Sequence, residues 1–557
     1  MSVTVSEQLP LLAVAPNGIK KLRELILELA VRGKLVAQDA SDDPASELLK
    51  RIAIERKRKG FDKSSTDTKE ASQFDLPAGW EWVRFGEIAQ HNAGKTLDRG
   101  RNQGVVRDYI TTSNLYWGHF ALENVRQMAI RDEEVERCTA RKDDLLICEG
   151  GEAGRAAVWE EDREICFQNH IHRARFYGCI SPHFAYRVLE RLNVTGEING
   201  FRKGVAISSM SGKALASIPF PLPPLAEQHR IVAKVDELMA LCDRLEAQQA
   251  DAESAHAQLV ATVLESLTRA SDSDDFAVSW QRLSAHFHTL FTTESSIDAL
   301  KQALLQLAVM GKLVPQDPSD EPASILRGQI AREKEKMTDR ARRWQSTNGS
   351  GSDEFEKFAL PVGWEWVSIS ELVLQITDGT HHTPTYLPAG VPFISVKDVD
   401  GRTINFDHCK YISMAEHESI NARSNPELGD ILLCRIGTLG RPTIVDTQRP
   451  FSLFVSVGLL KLPKSVSISN FLHMLLSSPL LYRQYDQIKA GGSHTNKLNL
   501  GDIPRLMIPL PPLAEQGRII SKVHQLMAHC DHLISCLSQA SELKEQLATA
   551  LVQRAVA

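Results

Sequence analysis

Apolar positions along this chain follow two rhythms, a three-to-four spacing and short continuous runs, and the same succession of rhythms occurs twice. Ile19-Lys-Lys-Leu-Arg-Glu-Leu-Ile-Leu-Glu-Leu-Ala30 predicts an amphipathic helix that Gly33 ends, and Ile297-Asp-Ala-Leu-Lys-Gln-Ala-Leu-Leu-Gln-Leu-Ala308 predicts its counterpart, ended by Gly311. Charged helices are predicted next, over Glu47 to Lys59 and Ile325 to Arg343, and then polar linkers at 61–74 and 346–357 that read as flexible connectors. The pattern then shortens to strand-like runs bounded by glycines: Tyr109-Ile-Thr-Thr112 and Asp144-Leu-Leu-Ile-Cys148 in one half, Phe393-Ile-Ser-Val396 and Asp430-Ile-Leu-Leu-Cys434 in the other. Each half closes on a long helix. The first carries apolar or small residues at Ile231, Val235, Leu238, Cys242, Leu245, Ala252, Leu259 and Val263. The second carries them at Ile519, Val523, Leu526, Cys530, Leu533, Leu537, Ala540, Leu543 and Leu547. This is a coiled-coil seam, interrupted in the first copy by Gln249 and His256.

The repetition extends to identity. Pro221-Leu-Pro-Pro-Leu-Ala-Glu-Gln228 returns as Pro509-Leu-Pro-Pro-Leu-Ala-Glu-Gln516, and 18 of the 25 positions from Pro221 to Leu245 match their counterparts 288 residues later. The openings Leu76-Pro-Ala-Gly-Trp-Glu-Trp-Val83 and Leu360-Pro-Val-Gly-Trp-Glu-Trp-Val367 match as well, whereas His91-Asn-Ala-Gly-Lys-Thr96 stands against the unrelated Thr377-Asp-Gly-Thr-His-His382. A constant frame thus carries two different inserts. About 40 residues of helix span roughly 60 Å, and one apolar stripe on such a helix needs a partner. The two copies can pair antiparallel about a pseudo-twofold axis. Trp80, Trp82, Trp364 and Trp366 recur at frame positions and read as module core.

Composition adds exclusions. With 557 residues the chain is too long for one core, and its 43% hydrophobic and 24% charged residues are ordinary for a globular protein without membrane spans. No secretory leader is visible, so a cytoplasmic location without a membrane partner is expected. Nine cysteines without a C-x-x-C pair argue against disulfides or a zinc ribbon, and Cys148, Cys434, Cys242 and Cys530 read as small core residues. The net charge is −6, and residues 81–217 hold 19 Lys/Arg against 19 Asp/Glu, so any DNA binding would draw phosphate contacts from partners too. Enzyme signatures are missing. Ala93-Gly-Lys-Thr96 ends like a phosphate-binding loop, but Ala89 stands where that loop needs glycine, and no G-x-G-x-x-G or G-x-S-x-G occurs. His524, His529, Cys530 and His532 do not make a metal set, because Leu241 and Arg244 replace His529 and His532 in the other copy.

The twin PLPPLAEQ segments with their helices, the paired L-P-x-G-W-E-W openings and Asp378-Gly-Thr-His-His-Thr-Pro384 together resemble the specificity subunits of type I restriction-modification systems, over essentially the whole chain. The resemblance implies an α+β fold: two mixed α/β target recognition domains joined by long antiparallel coiled-coil helices, an internal tandem duplication with pseudo-twofold symmetry. The domains expected are 1–75 (helices and linker), 76–220 (first target recognition domain), 221–359 (central long helix, short helices and linker), 360–508 (second target recognition domain) and 509–557 (C-terminal long helix). It further implies a non-catalytic targeting subunit that reads a bipartite site in double-stranded DNA, one half per domain, with the helices fixing the spacer. The implied partners are two methyltransferase (modification) subunits and ATP-dependent restriction subunits. S-adenosylmethionine, ATP and Mg are expected on those partners and no cofactor on this chain, the complex being an adenine-N6 methyltransferase and an endonuclease. The first module lacks the Asp-Gly-Thr-His motif. Alternatives are a specificity subunit serving one fused methylation and cleavage polypeptide, a stand-alone DNA-modifying enzyme, and a scaffold that binds proteins alone.

Base readout asks for Arg or Lys at guanine, Asn or Gln at adenine and hydroxyls as adaptable partners, on loops that reach a groove. The candidates are Lys95, Thr96, Arg99, Arg101, Asn102, Ser113, Asn114, Arg202 and Lys203 in the first module, and Thr380, His381, His382, Lys397, Ser493, His494, Asn496 and Lys497 in the second. The outer faces of the long helices are the expected docking surface for the partners.

Overall fold

The structure, a computed structural model, describes residues 12, 15–60, 74–96, 98, 102–204, 208–270, 273–336, 355, 357–490 and 496–556. Most of both linkers lies outside that set, as do residues 337–343, over which the second charged helix was expected to continue; the helix described there is Ala323–Glu335. The chain divides into two compact units, Met1–Glu253 with Gln539–Ala557, and Ser254–Ser538. Each unit holds one module, a short amphipathic helix, the first part of its own long helix and the last part of the other.

In the first unit the helix Gly18–Val31 buries Ile19, Leu22, Leu25, Ile26, Leu29 and Ala30, and Gly33 follows it at φ 65°. A side chain there would be strained, which is why glycine ends the helix. In the second unit Glu294–Val309 buries Ile297, Leu300, Leu304 and Leu307, its first turn capped by the Thr293 hydroxyl on the Ser296 N–H (3.1 Å).

The two modules share the order of their main sheet. In the first, a four-stranded sheet runs in the order Ala156–Val158, Leu145–Cys148, Ile171–Phe176, Ala89–Ala93, and in the second Gly440–Ile444, Ile431–Cys434, Val457–Lys461, Gln375–Asp378. A second sheet in each holds one parallel pair, Ile165–Phe167 beside Val105–Ile110 and Ser452–Leu453 beside Val391–Ile394. The fully buried runs Leu145–Cys148 and Ile431–Cys434 are the central strands that the continuous apolar patches predicted. Cys148, Cys434, Cys242 and Cys530 are all buried free thiols.

The identical segments meet at one joint per unit. Glu81–Arg84 pairs antiparallel with Pro219–Leu222, and Glu365–Ser368 with Met507–Leu510, so each module starts and finishes beside its long helix. The glutamate of PLPPLAEQ is buried there. Glu227 accepts from Trp80 Nε1 (2.9 Å) and Gln38 Nε2 (2.7 Å), and Glu515 accepts from Trp364 Nε1 and Gln316 Nε2 (both 3.0 Å). Arg230 pairs with Asp42 at 2.6 Å and Arg518 with Asp320 at 2.5 Å. Trp80 and Trp364 are therefore core residues with a polar handle; Trp82 and Trp366 are half-buried, donating to Phe74 O and Phe358 O. Glu227→Ala strands a buried indole N–H, whereas Gln38 Nε2 keeps Gly33 O at 3.1 Å. A loss of roughly 2–3 kcal/mol is expected, read as a fall in the thermal unfolding midpoint, and a change below about 0.5 kcal/mol would contradict the joint.

The long helices run Leu225–Arg269 and Leu513–Val556. Near their starts the apolar seam is as expected, with Ile231, Val235, Leu238 and Cys242 buried in one and Ile519, Val523 and Cys530 in the other. Farther along, the register moves by one residue. Leu259, Leu543 and Leu547 are exposed, while Val260, Leu264, Leu267 and Ala548 are buried. Cys242 to Val260 and Cys530 to Ala548 are both 18 residues apart, five whole turns of a straight α-helix. A heptad pattern drifts by about 20° per repeat against that period, and the straight helix prevails. Within the first unit Ala548, Leu551 and Val552 join the core of the first long helix; within the second, Val260, Leu264 and Leu267 cluster with Cys530 and Leu533.

Candidate nucleic-acid interface

At one end of each four-stranded sheet, the same five backbone hydrogen bonds gather the loops. Lys95 N donates to Phe167 O (3.0 Å), Asn169 N to Lys95 O (3.0 Å), Gln168 N to Ile110 O (3.0 Å), Glu149 N to His170 O (2.8 Å) and Met210 N to Glu149 O (2.7 Å). In the second module Thr380 N donates to Leu453 O (2.9 Å), Val455 N to Thr380 O (3.0 Å), Phe454 N to Ile394 O (2.9 Å), Arg435 N to Ser456 O (2.9 Å) and Leu498 N to Arg435 O (2.8 Å). These bonds pair Lys95 with Thr380, His170 with Ser456, and Glu149 with Arg435. The backbone is repeated and the chemistry is not.

The register of this correspondence differs by one residue from the alignment of His91–Thr96 with Thr377–His382. Gly94 matches Gly379, because a Cβ would stand 2.1 Å from Phe167 O at the first and 1.9 Å from Leu453 O at the second. Two backbones pass too closely there for any side chain, and glycine is what the frame keeps.

Of the first module's candidates, Arg99 and Arg101 lie outside the described residues. Lys95 is on the gathered loops, its ammonium paired with Glu134 of the helix Asp132–Cys138. Thr96, Ser113 and Lys203 are exposed, the Ser113 hydroxyl sitting 2.8 Å from Thr111 Oγ1. Asn102 is half-buried and donates to Thr96 O at 3.3 Å. Asn114 is 4% exposed, and its amide is spent inside a turn, accepting from Thr111 N (3.0 Å) and donating to Ala121 O (2.9 Å). Arg202 likewise donates to Ala153 O (2.6 Å), Asn193 Oδ1 (2.9 Å) and Asn199 Oδ1 (3.0 Å). Both side chains hold loops together.

In the second module Ser493 and His494 lie outside the described residues, while His381, His382, Lys397, Asn496 and Lys497 are exposed. Thr380 is buried, its hydroxyl 2.9 Å from His382 Nδ1. Beneath them Asp378, the first residue of the motif that runs to Pro384, gathers two arginines from distant parts of the chain. Asp378, 1% exposed, takes Arg423, Arg435 and His381 Nε2 (3.1 Å) on its two carboxylate oxygens. Arg435, itself buried, also donates through Nε to Leu498 O (3.1 Å). Two guanidiniums on one carboxylate leave positive charge under the His381–His382 loop, which suits a phosphate or a guanine edge. Gln168-Asn169-His170, absent from the candidates, is the polar loop between the inner strands Ile165–Phe167 and Ile171–Phe176, with His170 exposed. A polar triplet between two apolar runs was the signal.

Below the first module's loops, His172 is buried, with Nε2 3.3 Å from Met210 O and 3.8 Å from Glu149 Oε2. Burial holds its imidazole below the ordinary range, as it does for the neighbouring His91, which His172 depresses further. The unfolded chain therefore takes a proton below pH ~6.5 that the folded chain refuses, so stability is whole above that pH and lost as pH falls, at up to about 1.4 kcal/mol per pH unit for this one group. His172→Gln keeps a donor toward Met210 O and should lose less stability between pH 7.5 and 5 (about the usual titration range) than the parent. Equal losses in thermal unfolding would remove His172 from the acid response.

Among the described residues no group of three or more potential metal ligands occurs, and no helix is long and apolar enough to cross a membrane.

Comparison with known proteins gives consistent matches. A family model described as the type I restriction modification DNA specificity domain matches residues 77–253 and 361–540. The type I restriction enzyme EcoEI specificity subunit of Escherichia coli is 34% identical over 97% of this chain and 94% of its own length. The EcoAI specificity subunit of the same organism is 32% identical with the same coverage. Among solved structures, the HsdS subunit from Thermoanaerobacter tengcongensis matches at 17% identity and a TM-score of 0.42, over 87% of this chain and 98% of that one.

Proposed function

The chain belongs to the type I restriction-modification DNA specificity family, and from that premise we propose that each of its modules reads one half of a bipartite duplex site. The observation that carries this reading is the set of five backbone hydrogen bonds repeated in both modules around unlike side chains. A shared frame fixes where a reading residue stands, and the unlike side chains around it, Lys95 and His170 in one module, His381 and Lys497 in the other, set what each recognises. The reading positions are Lys95, Thr96, Ser113, Gln168, Asn169, His170 and Lys203 in one module, and His381, His382, Lys397, Arg423, Asn496 and Lys497 in the other.

The chain directs chemistry carried out by other subunits in the cytoplasm. Modification subunits bind S-adenosylmethionine and methylate adenine at the addressed site, and restriction subunits use ATP and Mg. Near-equal numbers of cations and anions in the first module fit a subunit whose partners share the grip on phosphate. The test is genome-wide mapping of N6-methyladenine in cells with and without this gene. One bipartite motif should vanish on deletion and return with the gene. Unchanged methylation, or modification of DNA by the purified chain alone, would refute the proposal.

A further inference from the structure

One position of the repeated frame carries opposite charges in the two modules. Glu149 follows the central strand Leu145–Cys148 and Arg435 follows Ile431–Cys434, and both make the same pair of backbone hydrogen bonds. In the second module the charge is held inside the fold. The Arg435 side chain is 4% exposed, bound to Asp378 and to Leu498 O (3.1 Å). The first module has Ala93 and His172 where the second has Asp378 and Gly458, paired across the same two strands.

Glu149 keeps its charge at the surface. Its side chain is 29% exposed, and among the described residues the one basic side chain in ion-pair range of its carboxylate is His172, with Nε2 3.8 Å from Oε2. That nitrogen is closer to Met210 O (3.3 Å), and burial holds the imidazole below the ordinary range, so it does not cancel the carboxylate's charge. The next residue clears space beside it. Gly150 pairs with Ser209 where the second module pairs Ile436 with Lys497, so the frame accepts a side chain at this place. A Cβ on Gly150 would meet nothing nearer than His170 Nδ1 at 3.9 Å, an ordinary contact, and its φ is not positive. Nothing within the fold asks for glycine there; a ligand edge coming close to the backbone would. Gly151 follows at φ 82°, with no atom within 4 Å of an added Cβ.

A carboxylate on loops that face DNA is repelled by phosphate and loses its water on binding, and a donor on a base edge is what offsets both. In the major groove guanine and thymine present acceptors, and adenine sets its N7 acceptor beside the N6 donor. Cytosine presents its 4-amino group without an acceptor of its own. We propose, on the reading that each module serves one half-site, that Glu149 is a specificity-determining residue of the first module and accepts a hydrogen bond from the 4-amino group of a cytosine, Gly150 and Gly151 leaving room for the base edge.

The test is methylation, by the complex of this chain with its modification subunits, of a duplex library randomised in both half-sites. The parent should require a cytosine, on either strand, at one position of the half-site that module exchange assigns to residues 76–220. Glu149→Gln should lower that preference at least about tenfold and admit adenine, which a glutamine can hold through N6 and N7. Preferences at the other positions should stay as they are. Replacing that cytosine with pyrimidin-2-one, which lacks the 4-amino group, should cost the parent a similar factor, a measurement that does not depend on how the variant folds. If Glu149→Gln lowers methylation of every sequence alike, or if no cytosine of that half-site needs its 4-amino group, Glu149 is not a reader and the proposal is overturned. A parent complex without any bipartite preference would overturn the half-site reading itself, and this assignment with it.

Discussion

Replacing residues 76–220 with the matching module of a relative that has a different target should change one half of the methylated motif and leave the other half and the spacer as they were. The joint is what makes so large an exchange feasible. The segment enters and leaves through neighbouring antiparallel strands, Glu81–Arg84 and Pro219–Leu222, so its two ends are cut at one place. The graft must bring a tryptophan at the position of Trp80, because its indole N–H meets the buried Glu227 of the recipient. This chain satisfies that condition twice with unlike modules, through Trp80 on Glu227 and Trp364 on Glu515. Each well-made base contact discriminates by about 1–3 kcal/mol, so a half-site read through several such contacts carries a preference on the order of a thousandfold or more. That is large enough for methyladenine sequencing to show a complete switch of one half. A change in both halves would mean that the modules do not read independently.

How much of this was legible in the sequence depended on what kept each residue in place. The duplicated frame was plain, because within each unit a buried tryptophan N–H meets a buried glutamate, Trp80 on Glu227 and Trp364 on Glu515, and a buried polar pair tolerates few alternatives. The seam of the long helices was legible only near their starts. From Leu245 onward a three-to-four pattern can be laid down on a heptad or on a straight helix, and only the buried Val260 and Ala548 decide between them. The reading residues were the hardest. Asn114 and Arg202 have the right chemistry for DNA but are spent on Ala121 O and Ala153 O, partners that the fold alone brings near. Asp378 reads as part of a contact motif, yet it is a buried anchor whose two arginines come from 45 and 57 residues away. Composition identifies donors; which donors remain available is decided by tertiary structure.

Lengthening both long helices should move the two half-sites apart without altering what either reads. Residues 246–255 and 538–544 are exposed throughout, so added turns there disturb no buried contact. One heptad adds about 10.5 Å of helix and turns it about 20° short of two full turns, so apolar positions on either side stay nearly on the same face. At ~3.4 Å per base pair this translation bounds the gain at about three base pairs. Each added base pair also rotates the far half-site by roughly 34°, given about 10.5 base pairs per turn. The expected gain is therefore between about one and three, set by how far the two ends can follow that rotation. A matched two-residue insertion is the sharp contrast. It shifts each helix only about 3 Å but turns it by about 200°, so the apolar faces before and after the insertion no longer share one side of the helix, and the complex should lose methylation altogether. The measurement is methylation of a library in which the two half-sites flank spacers of every length. Retention of the parental spacing in the heptad variant would show that the long helices are not the ruler, and altered half-sites would show that they shape the readers as well.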